Sequence, residues 1–128
     1  MKILVVHRQK ETVDLIKSIL SGCNPVVRHA ETGLDGLLTS RIEHFDLIIC
    51  GTDLPVVTGF EMVRSLTTHS VNRTTPFVFV TDHLDPKSEQ HSLVLGAVGI
   101  ISIQEIPSKL NEIVQKGLNR SLELLGNK

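Results

Sequence analysis

The stretch that most constrains the fold of this chain is residues 46–59, DLIICGTDLPVVTG. It begins with an apolar run from Leu47 to Cys50 that carries no charge, which is typical of a strand buried on both faces of a parallel sheet. The run ends in a polar loop that offers one carboxylate, Asp53, and a glycine, Gly51, where the strand stops. Open α/β proteins place ligands and chemistry at such strand ends, so this loop is the first candidate for a functional site.

Strand-like and helix-like patterns alternate along the whole chain. Further buried strands are predicted near residues 3–6, 26–30, 77–80 and 100–103, each followed by a helical pattern. Apolar faces are predicted for the second helix from Leu34, Leu37, Leu38 and Ile42, and for the last from Leu110, Ile113, Val114, Leu118, Leu122 and Leu125. This alternation predicts one α/β domain over residues 1–128, a doubly wound parallel sheet of five strands flanked by five helices.

Polar residues follow four of the five predicted strands. The loops after the first, third, fourth and fifth strands should meet at one edge of the sheet, which makes this edge the natural site. They carry His7 and Arg8, residues 51–53, residues 81–83, and Gln104.

Composition excludes several classes of function. The formal net charge is −1 and the hydrophobic fraction is 41%, so a basic footprint for nucleic acid or an anionic membrane is not expected. No apolar run approaches the length of a membrane span, and the N-terminal MKILVVHR lacks the layout of a signal peptide. Two cysteines, Cys23 and Cys50, are too few for a disulfide framework and indicate reduced thiols in a cytoplasmic protein.

Five blocks of sequence resemble the receiver domain of bacterial two-component response regulators. In order, they are MKILVVHR, HAETGLDGLL, DLIICGTDLPVVTG, PFVFVTDH and LGAVGIISI, and the resemblance extends from Lys2 to about Leu125. It implies a flavodoxin-like sheet with strand order 2-1-3-4-5. It also implies transfer of a phosphoryl group from a histidine kinase to an aspartate at the end of the third strand.

The resemblance further implies which residues that reaction needs. Two acidic residues after the first strand hold Mg²⁺, a threonine or serine follows the fourth strand, and a lysine follows the fifth. Carried onto this chain, these positions and the phosphoacceptor position are occupied by His7 and Arg8, Thr81, Ile103 and Gly51, and the aromatic switch position by Ile100. Only Thr81 keeps the expected chemistry, so we expect a degenerate receiver without catalytic residues, cofactor or metal.

Three other interpretations concern the loop edge. Asp53, two residues beyond Gly51, could replace the missing nucleophile and be phosphorylated, or it could cap the loop or pair with Arg8, which we prefer. A zinc or nickel site from His7, Asp53, Asp82 and His83 lacks a tight ligand motif. A residual anion site could combine the N–H of Gly51 with three cations, Arg8, Lys10 and Arg73.

The sequence also suggests how a receiver without this chemistry would act. In the family, the fourth helix, fifth strand and fifth helix form the face that dimerises or docks onto output domains. On this chain the apolar residues Leu93, Ile100 and Ile103 mark that face, whereas Ile101 is expected in the core. We therefore expect a signalling domain that contacts a protein partner (an output domain, a kinase or another regulator) or forms a homodimer, and that does not contact nucleic acid or a membrane.

Overall fold

Five parallel strands form one sheet in the order β2-β1-β3-β4-β5. The computed structural model describes the backbone of residues 1–126 and the side chains of residues 1–68 and 70–120. The strands are β1 (Lys2–Val6), β2 (Val26–Ala30), β3 (Leu47–Gly51), β4 (Phe77–Thr81) and β5 (Gly99–Ser102). The helices are α1 (Lys10–Leu20), α2 (Gly33–Ile42), α3 (Gly59–His69), α4 (Pro86–Val94) and α5 (Ile106–Gly126). The predicted fold class and strand order are confirmed.

The sheet divides the core into two layers because alternate side chains of each strand point to opposite faces. Ile3 and Val5 of β1 face a layer that is shared with α1 and α5. Leu4 and Val6 face the other layer, which contains residues of α3. Every residue of β3 and β4 is buried, as the uncharged apolar runs predict for central strands.

The apolar stripes of α1 and α5 lie where the sequence places them. Val13 and Ile16 of α1, and Leu110 and Val114 of α5, belong to one core layer. Ile113 and Leu118 pack against the same layer from partly buried positions. The predicted continuation of the α5 stripe, Leu122 and Leu125, lies outside the residues whose side chains are described.

The predicted apolar face of α2 is wrong for three of its four residues. Leu34, Leu38 and Ile42 are 52%, 51% and 86% exposed, and only Leu37 packs against the core. The residues that α2 buries are small ones, Gly33, Gly36 and Ser40. A Cβ at Gly36 would lie 2.8 Å from Met62 Sδ and 2.8 Å from Val6 Cγ2, so the helix approaches the core more closely than a larger residue allows.

One buried asparagine ties several chain segments together at the amino edge of the sheet. Asn72 Nδ2 donates to the carbonyl oxygens of Ser40 (2.6 Å) and Glu43 (2.8 Å). Asn72 Oδ1 accepts from the N–H of Phe45 (2.8 Å) and from Thr75 Oγ1 (3.0 Å). Because these partners come from the end of α2 and from the segments before β3 and β4, Asn72 connects elements that are distant in sequence.

The loop between β3 and α3 contains a strained residue. Val56 has φ +66° and its side chain is 94% exposed. The N–H of Val57 donates to the carbonyl oxygen of Pro55 at 2.8 Å, which closes a three-residue turn around Val56. β-Branched residues rarely adopt positive φ, so the surrounding loop imposes this conformation.

Two absences predicted from composition concern membrane spans and disulfides. Among the described residues, no helix combines the length and the apolar character that crossing a membrane requires. Cys23 is exposed and Cys50 is buried, and both are free thiols. Burial raises the pKa of Cys50 to about 12, so this thiol stays protonated at neutral pH and is a poor nucleophile.

Candidate functional site

The ends of the central strands form the predicted loop edge. In the register of the sheet, Val6 of β1 lies beside Cys50 of β3, and Gly51 lies beside Val80 of β4. Thr81 in turn lies beside Ser102 of β5. The residues that follow these positions are therefore brought to one end of the sheet, as the alternating pattern predicts.

The side chain of His7 occupies the space beside Gly51. A Cβ built on Gly51 would lie 3.0 Å from His7 Cδ2 and 3.6 Å from His7 Nε2. A 3.0 Å contact is tighter than nearly all real Cβ contacts, so the neighbouring ring would have to shift. The His7 ring therefore occupies part of the volume that a side chain at position 51 would need.

The His7 ring is held by specific hydrogen bonds. The N–H of Gln9 donates to His7 Nδ1 at 3.1 Å, which places the proton of the neutral ring on Nε2. His29 Nε2 donates to the backbone carbonyl oxygen of His7 at 2.9 Å. Burial lowers the pKa of His7, and the nearby Asp82 carboxylate only partly opposes this effect. His7 is therefore a neutral, positioned side chain at neutral pH.

Arg8 supplies the positive charge at this edge. Arg8 Nη2 lies 3.4 Å from Asp53 Oδ2 and 3.9 Å from Asp82 Oδ2. The preferred interpretation of Asp53, that it pairs with Arg8, agrees with this contact. All three side chains are substantially exposed, so the pairs contribute little to stability, on the order of 0–1 kcal/mol each. One guanidinium contacting two carboxylates balances about half of their negative charge.

Thr81 is engaged within its own loop. Its Oγ1 donates to the carbonyl oxygen of His83 at 3.1 Å and accepts from the N–H of His83 at 3.3 Å. The hydroxyl that the family uses to bond a phosphoryl group is here part of a local turn.

The carboxylate of Glu105 lies two residues beyond Ile103, the position where the resemblance predicts a lysine. Ile103, which the sequence resemblance places at the lysine position, packs against the core layer shared with α1 and α5. Glu105 Oε1 accepts from the N–H and the hydroxyl of Ser102 at 3.0 and 3.1 Å. Lys109 and these Ser102 contacts lower the pKa of Glu105 to about 2, so Glu105 is ionised at neutral pH and pairs with Lys109.

The residues present do not fit Mg²⁺. This ion requires oxygen ligands in octahedral geometry, but the two positions after β1 hold an imidazole and a guanidinium. The alternative zinc or nickel site is not supported either. Among the residues whose side chains are described, no three His, Cys, Asp or Glu side chains are grouped so that they could hold a metal ion.

The predicted anion site around Gly51 is wrong in including Arg73. Arg73 lies between α3 and β4, at the opposite edge of the sheet from Gly51. It lines a separate cleft with Pro76, Gly96 and Arg120. Arg73 precedes β4 whereas Gly51 ends β3, so the two residues lie at opposite ends of the parallel strands.

The face expected to contact partners is exposed in α4 and partly buried in β5 and directly after it. Leu93 and Val94 are 72% and 79% exposed. Ile100 packs against one core layer and Ile103 against the other, from partly buried positions. Ile101 is 2% exposed and lies in the core, as expected. Among the residues of this face whose side chains are described, the exposed large apolar ones are Leu93 and Val94 of α4.

Sequence reasoning missed two participants in the site. His29 reaches His7 because Val5 of β1 lies beside His29 of β2, a register that the sequence does not reveal. Glu105 forms a reciprocal capping contact with Ser102. The Ser-x-x-Glu spacing that begins at Ser102 is a recognisable signal for such a contact.

Comparison with known proteins agrees with this architecture. The sequence profile of the response regulator receiver domain matches residues 3–115. The chain belongs to the response regulator receiver family. It is therefore a receiver domain of the two-component type, a class of signalling domain that interacts with kinases and output domains.

Individual relatives support the same assignment. The receiver is 29% identical over 121 residues to the transcriptional regulatory protein CusR of Escherichia coli K12, covering 91% of this chain and 52% of CusR. It is 27% identical to the probable transcriptional regulatory protein SilR of Salmonella typhimurium, over the same shares of the two chains. The chain thus spans about half the length of these curated relatives.

Solved structures confirm the fold of the receiver. The chemotaxis protein CheY4 of Vibrio cholerae superposes with a TM-score of 0.82 at 27% identity, covering 91% of this chain and 98% of that one. The receiver domain of a LuxO-type repressor from Vibrio parahaemolyticus superposes with a TM-score of 0.88 at 21% identity, covering 99% and 97%. The second likeness concerns the fold alone.

Proposed function

We propose that this receiver has lost phosphoryl transfer and signals through protein–protein contacts that do not depend on phosphorylation. The observation that carries the proposal is the pairing of Gly51 with the His7 ring at the end of β3. Phosphoryl transfer to a receiver needs a carboxylate at that place, and glycine has no side chain. A thiol does not substitute for it, because burial keeps the neighbouring Cys50 protonated.

The electrostatics of the edge support the same proposal. Aspartyl-phosphate formation depends on cations that neutralise the phosphoryl oxygens, which is the role of a metal ion and a lysine. At this edge the two metal-binding positions are His7 and Arg8, and the lysine position is Ile103. Arg8 contacts the carboxylates of Asp53 and Asp82, and these contacts already engage its charge.

Contacts through α4 provide the interaction in this proposal. Leu93 and Val94 expose adjacent aliphatic side chains on a helix that buries Ser92. Exposed aliphatic groups of this kind favour association with another protein. Because the curated relatives extend well beyond the matched region, the partner in this proposal is an output domain, a kinase or another regulator. Without a phosphoryl input, the receiver holds this face in one state unless a partner biases it.

Phosphorylation of the displaced carboxylate Asp53 is the competing function. Its side chain is exposed and lies two residues beyond Gly51. The 3.4 Å contact with Arg8 opposes it, because the same guanidinium that would attract a phosphoryl donor repels Mg²⁺.

Intact-mass spectrometry after incubation with acetyl phosphate and Mg²⁺ tests the proposal. The wild-type chain should gain no phosphate, whereas a phosphorylation-competent receiver in a parallel reaction should gain one. Asp53→Asn and Asp82→Asn variants serve as matched controls, because each removes one carboxylate that contacts Arg8. A phosphate adduct that disappears in Asp53→Asn but persists in Asp82→Asn would overturn the proposal in favour of a working switch.

A second measurement separates metal binding from chemistry. In two-dimensional NMR spectra recorded during a Mg²⁺ titration to about 10 mM, the amide signals of His7, Gly51 and Asp53 should not shift. Saturable shifts at these amides would show a metal site at the loop edge and would contradict the proposed loss of function.

A further inference from the structure

A cleft at the amino ends of the strands brings two arginines together. It lies between the end of α3, the segment before β4, the turn before β5 and α5 near Arg120. These parts meet because each crossover helix returns antiparallel to the strands, so helix ends lie beside strand beginnings. The cleft has a volume of about 230 Å³, and Arg73 and Arg120 both line it.

The charge that lines this cleft is positive only. Among the described residues, no aspartate or glutamate contributes to its walls. Neither Arg73 nor Arg120 forms an ion pair with any side chain that the structure describes. The chain as a whole has a formal net charge of −1, so two unpaired cations in one small cleft do not reflect a basic composition. Two guanidiniums at this separation repel each other, and an anion between them removes the repulsion.

Both arginines extend from fixed parts of the fold. Arg120 Nη1 donates to the carbonyl oxygen of Gly96 at 3.3 Å, which holds the guanidinium across the cleft and uses one of its five N–H groups. The N–H of Arg73 donates to the carbonyl oxygen of Ser70 at 3.3 Å. Its neighbour Asn72 is 2% exposed and donates its N–H to Ser70 Oγ at 2.7 Å. A ligand therefore meets donors whose supports are already ordered, which lowers the entropic cost of binding.

The remaining walls of the cleft are largely apolar. Phe77 is 6% exposed and belongs to a core layer, and Leu95 packs against the same layer from a partly buried position. Pro76 is buried and has no N–H to offer. Apolar walls strengthen the interaction of the guanidiniums with an anion, because they lower the local dielectric constant. They also offer a surface for the carbon atoms of an organic ligand.

We propose that this cleft binds a small phosphate monoester. The phosphate oxygens accept hydrogen bonds from Arg73 and Arg120, since the planar fork of a guanidinium matches the spacing of phosphate oxygens. A phosphate monoester carries a charge of about −1.5 to −2 at pH 7, which the two arginines balance, whereas a carboxylate balances only one of them. The carbon part of the ester lies against Phe77 and Leu95. The volume of the cleft admits the phosphate group and a few carbon atoms.

The cleft is separate from the site of the proposed function. It lies at the opposite end of the strands from Gly51, so binding there does not depend on loss of phosphoryl transfer. Leu95 and Gly96, which line the cleft, directly follow the exposed Leu93 and Val94. A bound ester therefore contacts the chain segment that continues from the apolar face of α4.

Two-dimensional NMR of the whole chain, titrated with phenyl phosphate at constant ionic strength near pH 7.5, tests this site. The amide signals of Arg73, Thr74 and Gly96 should shift saturably, with a dissociation constant on the order of 1 mM. Arg73→Gln and Arg120→Gln should each weaken binding at least about fivefold, because each removes a charge-assisted hydrogen-bond donor.

Arg41→Gln is the matched control for these variants. It removes the same charge from an exposed position on α2 that does not line the cleft, and it should leave the dissociation constant unchanged. Far-UV circular dichroism establishes that each variant is folded. Shifts that do not saturate by about 20 mM, or binding that is as tight in Arg73→Gln as in Arg41→Gln, would overturn the proposal.

Two further ligands separate the parts of the proposed recognition. Inorganic phosphate lacks the carbon part and should bind at least about threefold more weakly than phenyl phosphate. Benzoate keeps the ring but carries one charge, and it should bind at least about tenfold more weakly. Equal affinity for inorganic phosphate would overturn the assignment to an ester and leave free phosphate as the ligand. Equal affinity for benzoate would overturn the assignment to a phosphate.

Discussion

His7 and Gly51 illustrate how residues from two chain segments share one small volume. Gly51 leaves space at the end of β3, and the buried His7 ring fills it while Gln9 holds its orientation. The sequence does not show that these residues are neighbours, because they are 44 positions apart: His7 follows β1 and Gly51 ends β3. Their relation follows only from the parallel pairing of β1 with β3.

Restoring an aspartate at Gly51 alone should not restore phosphorylation. The new Cβ would lie 3.0 Å from His7 Cδ2, and the carboxylate would enter a site without metal ligands. We expect Gly51→Asp to lower the free energy of unfolding by about 1–3 kcal/mol and to gain no phosphate from acetyl phosphate with Mg²⁺.

Chemical denaturation and intact-mass spectrometry measure these two effects. Gly51→Ala is the matched control, because it adds the Cβ without the charge and should lose a smaller part of the stability. Efficient phosphorylation of Gly51→Asp would show that the surrounding residues still support the reaction and would contradict the prediction.

The buried His7 ring should make stability depend on pH. Burial lowers the pKa of His7 below its ordinary value of 6.5, so the unfolded chain takes up a proton at a pH where the folded chain does not. The free energy of unfolding should therefore fall as pH decreases below about 6.5, by at most about 1.4 kcal/mol per pH unit for one proton. The contribution from neutral His7 is fully present above that pH.

Urea denaturation between pH 5 and 8 measures this dependence. His7→Gln removes the titrating ring, so the variant should show a shallower decrease of stability on the acid side than the wild-type chain. The rest of the sequence is the same in both proteins, so its contribution cancels in the difference. Equal pH dependence in the two proteins would exclude His7 as its source.

At the scale of the elements, the β3–α3 loop adopts a backbone conformation that Val56 disfavours. Val56 adopts φ +66° although a β-branched residue is strained there. Thr58 caps α3 by accepting from the N–H of Glu61 at 3.2 Å, so the following helix fixes one end of the loop. The strand fixes the other end, and the strain at Val56 follows from these two anchors.

Replacing Val56 with glycine should stabilise the chain. Glycine adopts positive φ without steric penalty, and the valine side chain is 94% exposed, so little packing is lost. We expect Val56→Gly to raise the free energy of unfolding by about 1 kcal/mol, measured by thermal or urea denaturation. Val56→Ala keeps a Cβ at positive φ and should gain less. A destabilised Val56→Gly would mean that the loop does not impose the strain.

The helix α2 shows how an amphipathic pattern can mislead. Four aliphatic residues at helical spacing predicted a buried face, yet three of them are exposed. The helix instead buries Gly33, Gly36 and Ser40. A Cβ at Gly36 would crowd Val6 and Met62, and a Cβ at Gly33 would crowd the backbone of Val57. Periodicity located the helix correctly, but it did not show which of its faces meets the sheet.

At the scale of the whole molecule, Asn72 connects several chain segments at the amino ends of the strands, opposite the candidate site. Its side chain makes four hydrogen bonds, to Ser40, Glu43, Phe45 and Thr75, and it is 2% exposed. Removing it would take a hydrogen-bond partner from three backbone groups, the carbonyl oxygens of Ser40 and Glu43 and the N–H of Phe45. An unsatisfied buried group costs about 1–3 kcal/mol.

Asn72→Ala should therefore lower the free energy of unfolding by about 3 kcal/mol in urea denaturation. Thr74→Ala, two residues away and exposed, is the control and should change it by less than about 0.5 kcal/mol. A loss in Asn72→Ala no larger than in Thr74→Ala would show that these hydrogen bonds do not hold the segments together.

The sequence by itself determined the sheet, the helices and the edge at which a site forms. Short uncharged runs such as residues 47–50 can only be buried between two layers, and the alternation with helical patterns requires parallel strands. It also predicted, from spacing within the blocks that resemble a receiver, that Gly51 stands at the phosphoacceptor position.

Only the tertiary structure decided what occupies the space beside Gly51 and which way α2 faces. Both depend on contacts between segments far apart in sequence, His7 with Gly51 in one case and Gly36 with Val6 and Met62 in the other. Residue spacing along a chain encodes the faces of one helix or strand, but not the distance at which two elements pack. That distance is set by the side chains on both sides of the contact, and it appears only when the elements are assembled.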